Sequence, residues 1–186
     1  MKKLPKKPSL KQSFIVDTPW LKLIREDVRF PGGTVIKDFF IVERPTYAAV
    51  IPLLPNGDVL LVKQYRHGPK RKILNVPMGV IGKGEKPIQA AKRELQEETG
   101  YLAKDIIPIG IFENNPAFLR LTCYLFFARR LEKRPAKHID KKEHTTSAIF
   151  PLKKAIAKVS KGEIRDMTTV IGLLAAEKYL EGKNMI

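Results

Sequence analysis

The fold of this 186-residue protein is decided by residues 79–101, which read GVIGKGEKPIQAAKRELQEETGY. Ile88, Ala91 and Leu95 recur at the spacing of one helix face, and this apolar stripe stops at Gly100. Proline is accepted in the first turn of a helix, and glycine commonly ends one. The pattern therefore predicts a helix over residues 87–99, preceded by a glycine-containing loop.

Carboxylates are crowded on one face of this predicted helix. Residues four apart share a helix face, so Glu94 and Glu98 stack one turn apart, while Glu97 lies four positions from Arg93. One explanation is a solvated helix on which Arg93 neutralises Glu97, since charge runs on helices usually face water. The other is a site for a hard divalent cation, because clustered carboxylates supply the oxygen ligands that such cations prefer.

Segments rich in β-forming residues surround the helix. The sequence predicts strands over residues 47–54, 59–65, 73–76, 106–112, 119–129 and 147–150, and further helices over 152–159 and 166–180. A hairpin turn is expected at residues 55–58 and a charged loop at 130–146. Upstream, residues 20–30 and 34–42 read as two strands about a Pro-Gly-Gly turn. These elements indicate an α/β protein with a small N-terminal sheet.

The charge, the cysteine content and the length of the apolar runs indicate the kind of substrate and the location of the protein. Lys and Arg number 35 against 19 Asp and Glu, a formal charge of +16. The basic residues lack the interleaved aromatics of a nucleic-acid stacking platform, so we expect a phosphorylated small substrate rather than nucleic acid. The single cysteine, Cys123, lies in an apolar run and is expected to be a buried thiol. No apolar run is long enough for a membrane span, which favours the cytoplasm.

The spacing of the charged residues resembles a known signature. Gly79, Glu85, the run from Arg93 to Glu98, and Gly100 match the Nudix box of hydrolases that act on a nucleoside diphosphate linked to another group. The resemblance implies an α/β/α sandwich with a mixed sheet, to which a small N-terminal antiparallel β element is added. It also implies that the box glutamates hold Mg²⁺ or Mn²⁺.

The resemblance implies roles for individual metal ligands. Glu94 and Glu98 match the principal ligands of the family, and Glu97 matches a further ligand or a base that orients water. The carbonyl oxygen of Met78, just before the first box glycine, matches a backbone ligand. Glu143 aligns best with a late ligand or base of the sugar-nucleotide enzymes.

The groups that support these ligands are implied in the same way. Arg93 matches the arginine that holds a box glutamate in place, and Glu85 matches an auxiliary ligand. The general base stays open, because Lys141 stands where the family usually has a catalytic carboxylate in the loop over residues 138–144. Either Glu143 or Glu97 would then serve as the base, or the enzyme would be slow.

Residues outside the box indicate the substrate. Pro116, sixteen positions after the glycine that ends the helix, resembles a proline of ADP-ribose and nucleoside diphosphate sugar pyrophosphatases. Arg66 closes a Gln-x-Arg triplet similar to one whose arginine contacts phosphate, which suits a guanidinium. Trp20 and then Phe39 are the candidates for stacking on the base, and Arg44 is a further candidate for substrate binding.

The sequence also indicates how the chain is divided. Residues 1–12, which are rich in lysine, are expected to be a basic tail, and residues 13–45 an N-terminal β element. The resemblance implies that this element forms a homodimer and that a Nudix hydrolase domain extends over 46–186. The expected reaction is metal-dependent hydrolysis of a nucleoside diphosphate sugar, such as ADP-ribose or GDP-mannose, to nucleoside monophosphate and sugar phosphate. The alternatives are a Nudix pyrophosphohydrolase acting on the 5′ end of RNA, and a non-enzymatic module that binds nucleotides or nucleic acid.

Overall fold

The computed structural model describes residues 9–134 and 146–182, and these form two compact units. The first unit takes in the chain up to Thr46 together with Glu113–Thr122, and the second takes in Tyr47–Phe112 and the chain from Cys123 onward. The strands are β1 (Ser9–Asp17), β2 (Lys22–Arg29), β3 (Val35–Glu43), β4 (Tyr47–Pro52), β5 (Asp58–Arg66), β6 (Arg71–Asn75), β7 (Met78–Val80), β8 (Tyr101–Glu113), β9 (Leu119–Arg120), β10 (Thr122–Lys133) and β11 (Thr146–Pro151). The helices are α1 (Pro87–Thr99), α2 (Leu152–Ser160) and α3 (Met167–Glu181).

The first unit is a four-stranded sheet in the order β1-β2-β3-β9. The first three strands are antiparallel, and β9 adds to β3 in parallel through two residue pairs. The two predicted N-terminal strands correspond to β2 and β3. Strand β1 was not predicted, because it begins inside the segment whose lysines indicated a basic tail, and strand β9 arrives from a distant part of the chain.

Trp20 lies in the turn between β1 and β2 rather than in a strand, which corrects the predicted start of that strand at residue 20. The hydroxyl oxygen of Thr18 accepts hydrogen bonds from the backbone N–H groups of Trp20 and Leu21, at 3.3 and 3.0 Å. A threonine hydroxyl that bonds the backbone two or three residues on is a local turn signal. The turn therefore ends β1 and starts β2 two residues later than the β-rich composition suggested.

The second unit contains two sheets. One is mixed, with the order β7-β4-β10-β8, in which β4 pairs with β10 in parallel and with β7 antiparallel. The other is antiparallel, with the order β11-β5-β6. The predicted mixed α/β class is confirmed, and the structure adds the second sheet. Strands β4 and β5 thus lie in different sheets, and the predicted hairpin at residues 55–58 is reduced to one bridge between Leu53 and Val59.

Helices cover both faces of the mixed sheet in this unit. Successive residues of β4 point to opposite faces, so Ala48 and Val50 join the core cluster of α1, whereas Ala49 and Ile51 join that of α3. All four side chains are fully buried. A strand covered on both faces reads as a continuous apolar run, which is the reason for the sequence of β4. The predicted α/β/α layering is therefore present in this unit.

Helix α1 has the predicted limits. It runs over Pro87–Thr99, and Gly100 follows it with φ of 72°, in the left-handed region that glycine adopts without a Cβ clash. The backbone N–H of Gly100 donates to the carbonyl of Gln96 at 2.8 Å. The buried side chains of the helix are Ala90, Ala91 and Leu95. Its opposite side carries the charged residues, close to β7.

Strand β10 corrects the predicted charged loop, because it continues to Lys133. The charges that suggested a loop are paired with residues of β8: Arg130 donates to both carboxylate oxygens of Asp105, at 2.7 and 2.6 Å, and Lys104 pairs with Glu132.

Strand β10 also contains Cys123, and the prediction that its thiol is buried is confirmed. Burial raises the pKa of this thiol to about 11. Within residues 9–134 and 146–182, no helix has the length and apolar character needed to cross a bilayer.

Candidate metal and active site

Arg93 is the centre of the charged face of α1. Its Nε and Nη2 donate to the two carboxylate oxygens of Glu85 at 3.0 and 3.1 Å. Its Nη1 donates to Glu94 at 2.5 Å and to Glu97 at 3.1 Å, and Nη2 also reaches the carbonyl oxygen of Val80 at 3.0 Å. One planar guanidinium thus connects the loop, the helix and the end of β7. Lysine has no comparable fork of donors.

These contacts shift the protonation of the groups involved. The hydrogen bonds that Arg93 donates to Glu85, and then to Glu94, raise the pKa of Arg93 against the opposing effect of its partial burial. Hydrogen bonding to Arg93 lowers the pKa of Glu85, and a further hydrogen bond from the backbone N–H of Gly82 acts in the same direction. The pair is therefore fully charged at neutral pH, and it fixes the loop before α1 to the helix.

The Glu94 carboxylate lies against the backbone of β7 at Gly79. A Cβ placed on this glycine would stand 2.1 Å from one Glu94 oxygen and 2.5 Å from the other. Only a glycine leaves this space free, so its role here is close approach rather than an unusual backbone conformation. The Glu94 side chain is 13% exposed. The missing side chain thus forms a cradle that keeps a mostly buried carboxylate beside the strand.

Glu98, one turn further along α1, reaches the same strand. One of its oxygens accepts from the backbone N–H of Met78 at 3.3 Å, and the other accepts from the Nε2 of Gln64 at 3.3 Å. Sequence reasoning did not assign a role to Gln64. The alternation of strand β5 could have indicated it, because it places Gln64 on the buried face. Gln64 is 2% exposed, between the exposed residues Lys63 and Tyr65. A buried amide on an otherwise apolar strand face needs a polar partner.

The donor set at this edge fits a hard divalent cation. Two carboxylates, from Glu94 and Glu98, converge on Met78 and Gly79 of one short strand. Among residues 9–134 and 146–182, no three Asp, Glu, His or Cys side chains converge on one point. Mg²⁺ typically takes one or two carboxylates and fills its other positions with water and substrate phosphate oxygens, so an incomplete protein shell is compatible with it. The oxygen-only chemistry also excludes a site for soft metals.

The remaining predicted site residues belong to other parts of the chain. Arg66 lies at the end of β5, two residues beyond Gln64 and on the same strand face. Four predicted substrate contacts belong to the first unit: Trp20, which is 68% exposed, together with Phe39, Arg44 and Pro116. Glu143 and Lys141 lie outside the described residues. The catalytic and substrate-binding roles of all these residues stay predictions.

The chain is similar to known proteins in sequence and in structure. A family model described as NUDIX domain matches residues 43–169. The ADP-ribose pyrophosphatase of Bacillus subtilis (strain 168) is 33% identical, with 100% of this chain and 98% of that protein aligned. The methanol dehydrogenase activator of Bacillus methanolicus is 32% identical over 97% of this chain and 96% of its own length. A crystal structure of an ADP compounds hydrolase has the same fold, with a TM-score of 0.87 at 21% identity over the whole of both chains.

Proposed function

This chain belongs to the Nudix family of hydrolases, and we propose that it cleaves ADP-ribose in a reaction that depends on Mg²⁺ or Mn²⁺. It is a Nudix pyrophosphatase, and its substrates are nucleoside diphosphate sugars. The observation that carries this conclusion is the convergence of Glu94 and Glu98 on β7, with Arg93 beside them. A bacterial ADP-ribose pyrophosphatase that aligns over the full chain supports the choice of substrate.

In this proposal the box residues hold the cation. Glu94, Glu98 and the carbonyl oxygen of Met78 would bind Mg²⁺ or Mn²⁺, with Glu97 and Glu143 as further ligands. When bound, the ion neutralises the diphosphate and lowers the pKa of a coordinated water. Gln64 restrains one Glu98 oxygen through its hydrogen bond, which limits the orientations of that carboxylate. Arg93 restrains Glu94 and Glu97 in the same way.

The hydrolysis itself needs a base for the attacking water. The water oxygen forms a new bond to phosphorus, the bridging phosphorus–oxygen bond breaks, and the products are nucleoside monophosphate and sugar phosphate. Glu97 is suited to accept the proton of this water, because its side chain is 39% exposed while Arg93 holds one of its oxygens at 3.1 Å. Glu143 is the other candidate base. Both assignments are part of the proposal.

Substrate recognition extends the proposal beyond the box. The Arg66 guanidinium would bind a substrate phosphate in a bidentate manner. Trp20, or else Phe39, would stack on the base, since an exposed indole ring has a free face. Arg44 and Pro116 complete the proposed set of contacts.

We also infer a homodimer formed through the first unit. Large apolar side chains with more than a third of their surface exposed number sixteen among the described residues, and ten of them lie in this unit. Phe14 and Ile15 are adjacent on β1 and are each 51% exposed. Exposed apolar surface of this density is typical of a protein–protein interface.

The single, buried thiol and the nucleotide substrate favour the cytoplasm as the place of action.

The proposed function is tested with a panel of substrates. The purified protein is incubated with ADP-ribose, GDP-mannose and triphosphorylated RNA, each with Mg²⁺ and with Mg²⁺ plus EDTA, and phosphate-ester products are measured. We expect turnover of ADP-ribose that EDTA abolishes. Glu98→Gln should fold and lose orders of magnitude in rate. Absence of turnover with both sugar nucleotides, or unchanged turnover by Glu98→Gln, would contradict the proposal.

A further inference from the structure

The two sheets of the second unit are joined by a two-residue link, Val76 and Pro77, that leads from β6 into β7. Strand pairing with β5 ends at Asn75, and pairing with β4 begins at Met78. Val76 is completely buried. Its backbone groups therefore need partners from outside the sheets, because a buried, unpaired N–H or C=O group is costly.

Side chains and one strand supply these partners. The N–H of Val76 donates to the hydroxyl oxygen of Thr169 at 3.0 Å, and its carbonyl accepts from the Nδ2 of Asn75 at 2.9 Å. Pro77 has no N–H, and its carbonyl accepts from the backbone N–H of Val50 at 3.0 Å. Every backbone hydrogen-bonding group of the link is thus held, and Thr169 is the only one of these partners that lies on a helix.

Thr169 is itself held in one orientation. Its hydroxyl donates to the Oδ1 of Asp166 at 2.6 Å, and its backbone N–H donates to the same oxygen at 2.8 Å. Because the hydroxyl proton is used on Asp166, a lone pair of the hydroxyl oxygen faces the Val76 N–H. Thr169 is fully buried. A continuous chain of hydrogen bonds therefore runs from the start of α3 to the link.

We propose that Thr169, oriented by Asp166, is a positioning residue for the β7 edge of the metal site, through Val76. The residue that follows the link is Met78, whose N–H donates to Glu98, and Gly79 comes next, against the Glu94 carboxylate. A shift of the link would move both contacts together, since only Pro77 separates Val76 from Met78. The inference rests on the proposed function, because it concerns the cation that Glu94 and Glu98 would bind.

The test compares three variants of the full chain. Thr169→Val keeps the volume and shape of the side chain but removes the acceptor for Val76, whereas Thr169→Ser keeps the hydroxyl. The control is Thr168→Val, at the neighbouring buried position, whose hydroxyl lies 2.7 Å from the hydroxyl of Tyr47. Binding of Mn²⁺ alone is measured by electron paramagnetic resonance, and folding is measured by circular dichroism.

We expect Thr169→Val to weaken Mn²⁺ binding about 10- to 100-fold, the range found for groups that orient metal ligands. Thr169→Ser should bind Mn²⁺ like the wild-type protein, and Thr168→Val should bind it normally even where its melting temperature falls. Unchanged Mn²⁺ binding by a folded Thr169→Val, or equal losses in Thr169→Val and Thr168→Val, would overturn the inference. If the wild-type protein binds Mn²⁺ but does not hydrolyse ADP-ribose, the proposed function fails and the positioning role stands.

Discussion

Arg93 brings together carboxylates that would otherwise repel one another. Glu85, Glu94 and Glu97 all accept from its guanidinium, two of them within one helical turn. Like charges at this spacing destabilise an isolated helix by about 0.2–0.5 kcal/mol per pair. Each carboxylate therefore has an opposite charge beside it in the protein. The Arg93–Glu97 pair of the first explanation is present, and this helix face lies against β7 and a loop. The cation site of the second explanation is part of the proposed function.

The ion pair between Glu85 and Arg93 predicts how stability depends on pH. Because the pKa of Glu85 is lowered in the folded state, its stabilisation is complete above the ordinary carboxyl value of 4.5 and is lost as the pH falls through the lower folded value. Glu85→Gln should therefore lower the urea midpoint more at about pH 7 than at about pH 3. Equal effects of the substitution at both pH values would contradict this sign.

Substitution of Gly79 should give a protein that folds but has lower activity. In Gly79→Ala the new methyl would meet the Glu94 carboxylate, which is the far end of a flexible side chain and is able to rotate away. We expect a small change in melting temperature and a drop in kcat/KM of about a hundredfold, because a displacement of about 1 Å in a catalytic group has effects of this size. Gly84→Ala is an unsuitable control, since Gly84 has φ of 77°. Gly68→Ala is suitable, since no atom lies within 4 Å of its added Cβ.

At the scale of elements, two helices approach β4 from opposite sides. Helix α1 uses Ala90 and Ala91 to pack closely, and α3 uses Gly172. Small residues at these positions let a helix backbone lie near a buried strand, and the apolar residues of β4 fill the space on both faces. The position of α1 relative to β7, and hence of its carboxylates, follows from this packing.

In contrast to the change at Gly79, Gly172→Ala should lower the stability of the protein. A Cβ at Gly172 would stand 2.7 Å from Cγ1 of Ile51, which is completely buried and unable to move into solvent. Overpacking of this kind costs about 1–3 kcal/mol. For a chain of this length the melting temperature should fall by about 2–4 °C per kcal/mol. A melting temperature unchanged from wild type, measured by calorimetry, would show that α3 is less tightly packed than the structure indicates.

At the scale of the whole molecule, the inferred homodimer has a direct test. Light scattering after gel filtration should give twice the chain mass of 21.1 kDa. Replacing Phe14 and Phe40 with serine removes two exposed rings from the first unit and should shift the mass toward that of one chain. The matched control replaces Met167 and Leu174, which are exposed apolar residues of the second unit, and should leave the mass unchanged. A wild-type protein with the mass of one chain would contradict the inference.

Local patterns in the sequence correctly predict the elements whose limits depend on near neighbours. The limits of α1 follow from its apolar spacing and from Gly100, and the candidate ligands follow from the spacing of charges along one helix. Local signals failed where distant residues decide. The lysines before Ser13 suggested a tail, although β1 begins at Ser9, and the charges of residues 130–133 suggested a loop, although two of them pair with β8.

The surroundings of helix α1 depend on contacts between residues that are distant in the chain. The contact of Glu98 with Gln64 and Met78, the cradle at Gly79 and the hydrogen bond from Val76 to Thr169 each join residues that are 15 to 93 positions apart. Such contacts follow from how buried layers pack and from the need of each buried polar group for a partner, and neither is encoded in a local repeat. Residue spacing therefore predicts which groups carry the chemistry, and packing sets their distances.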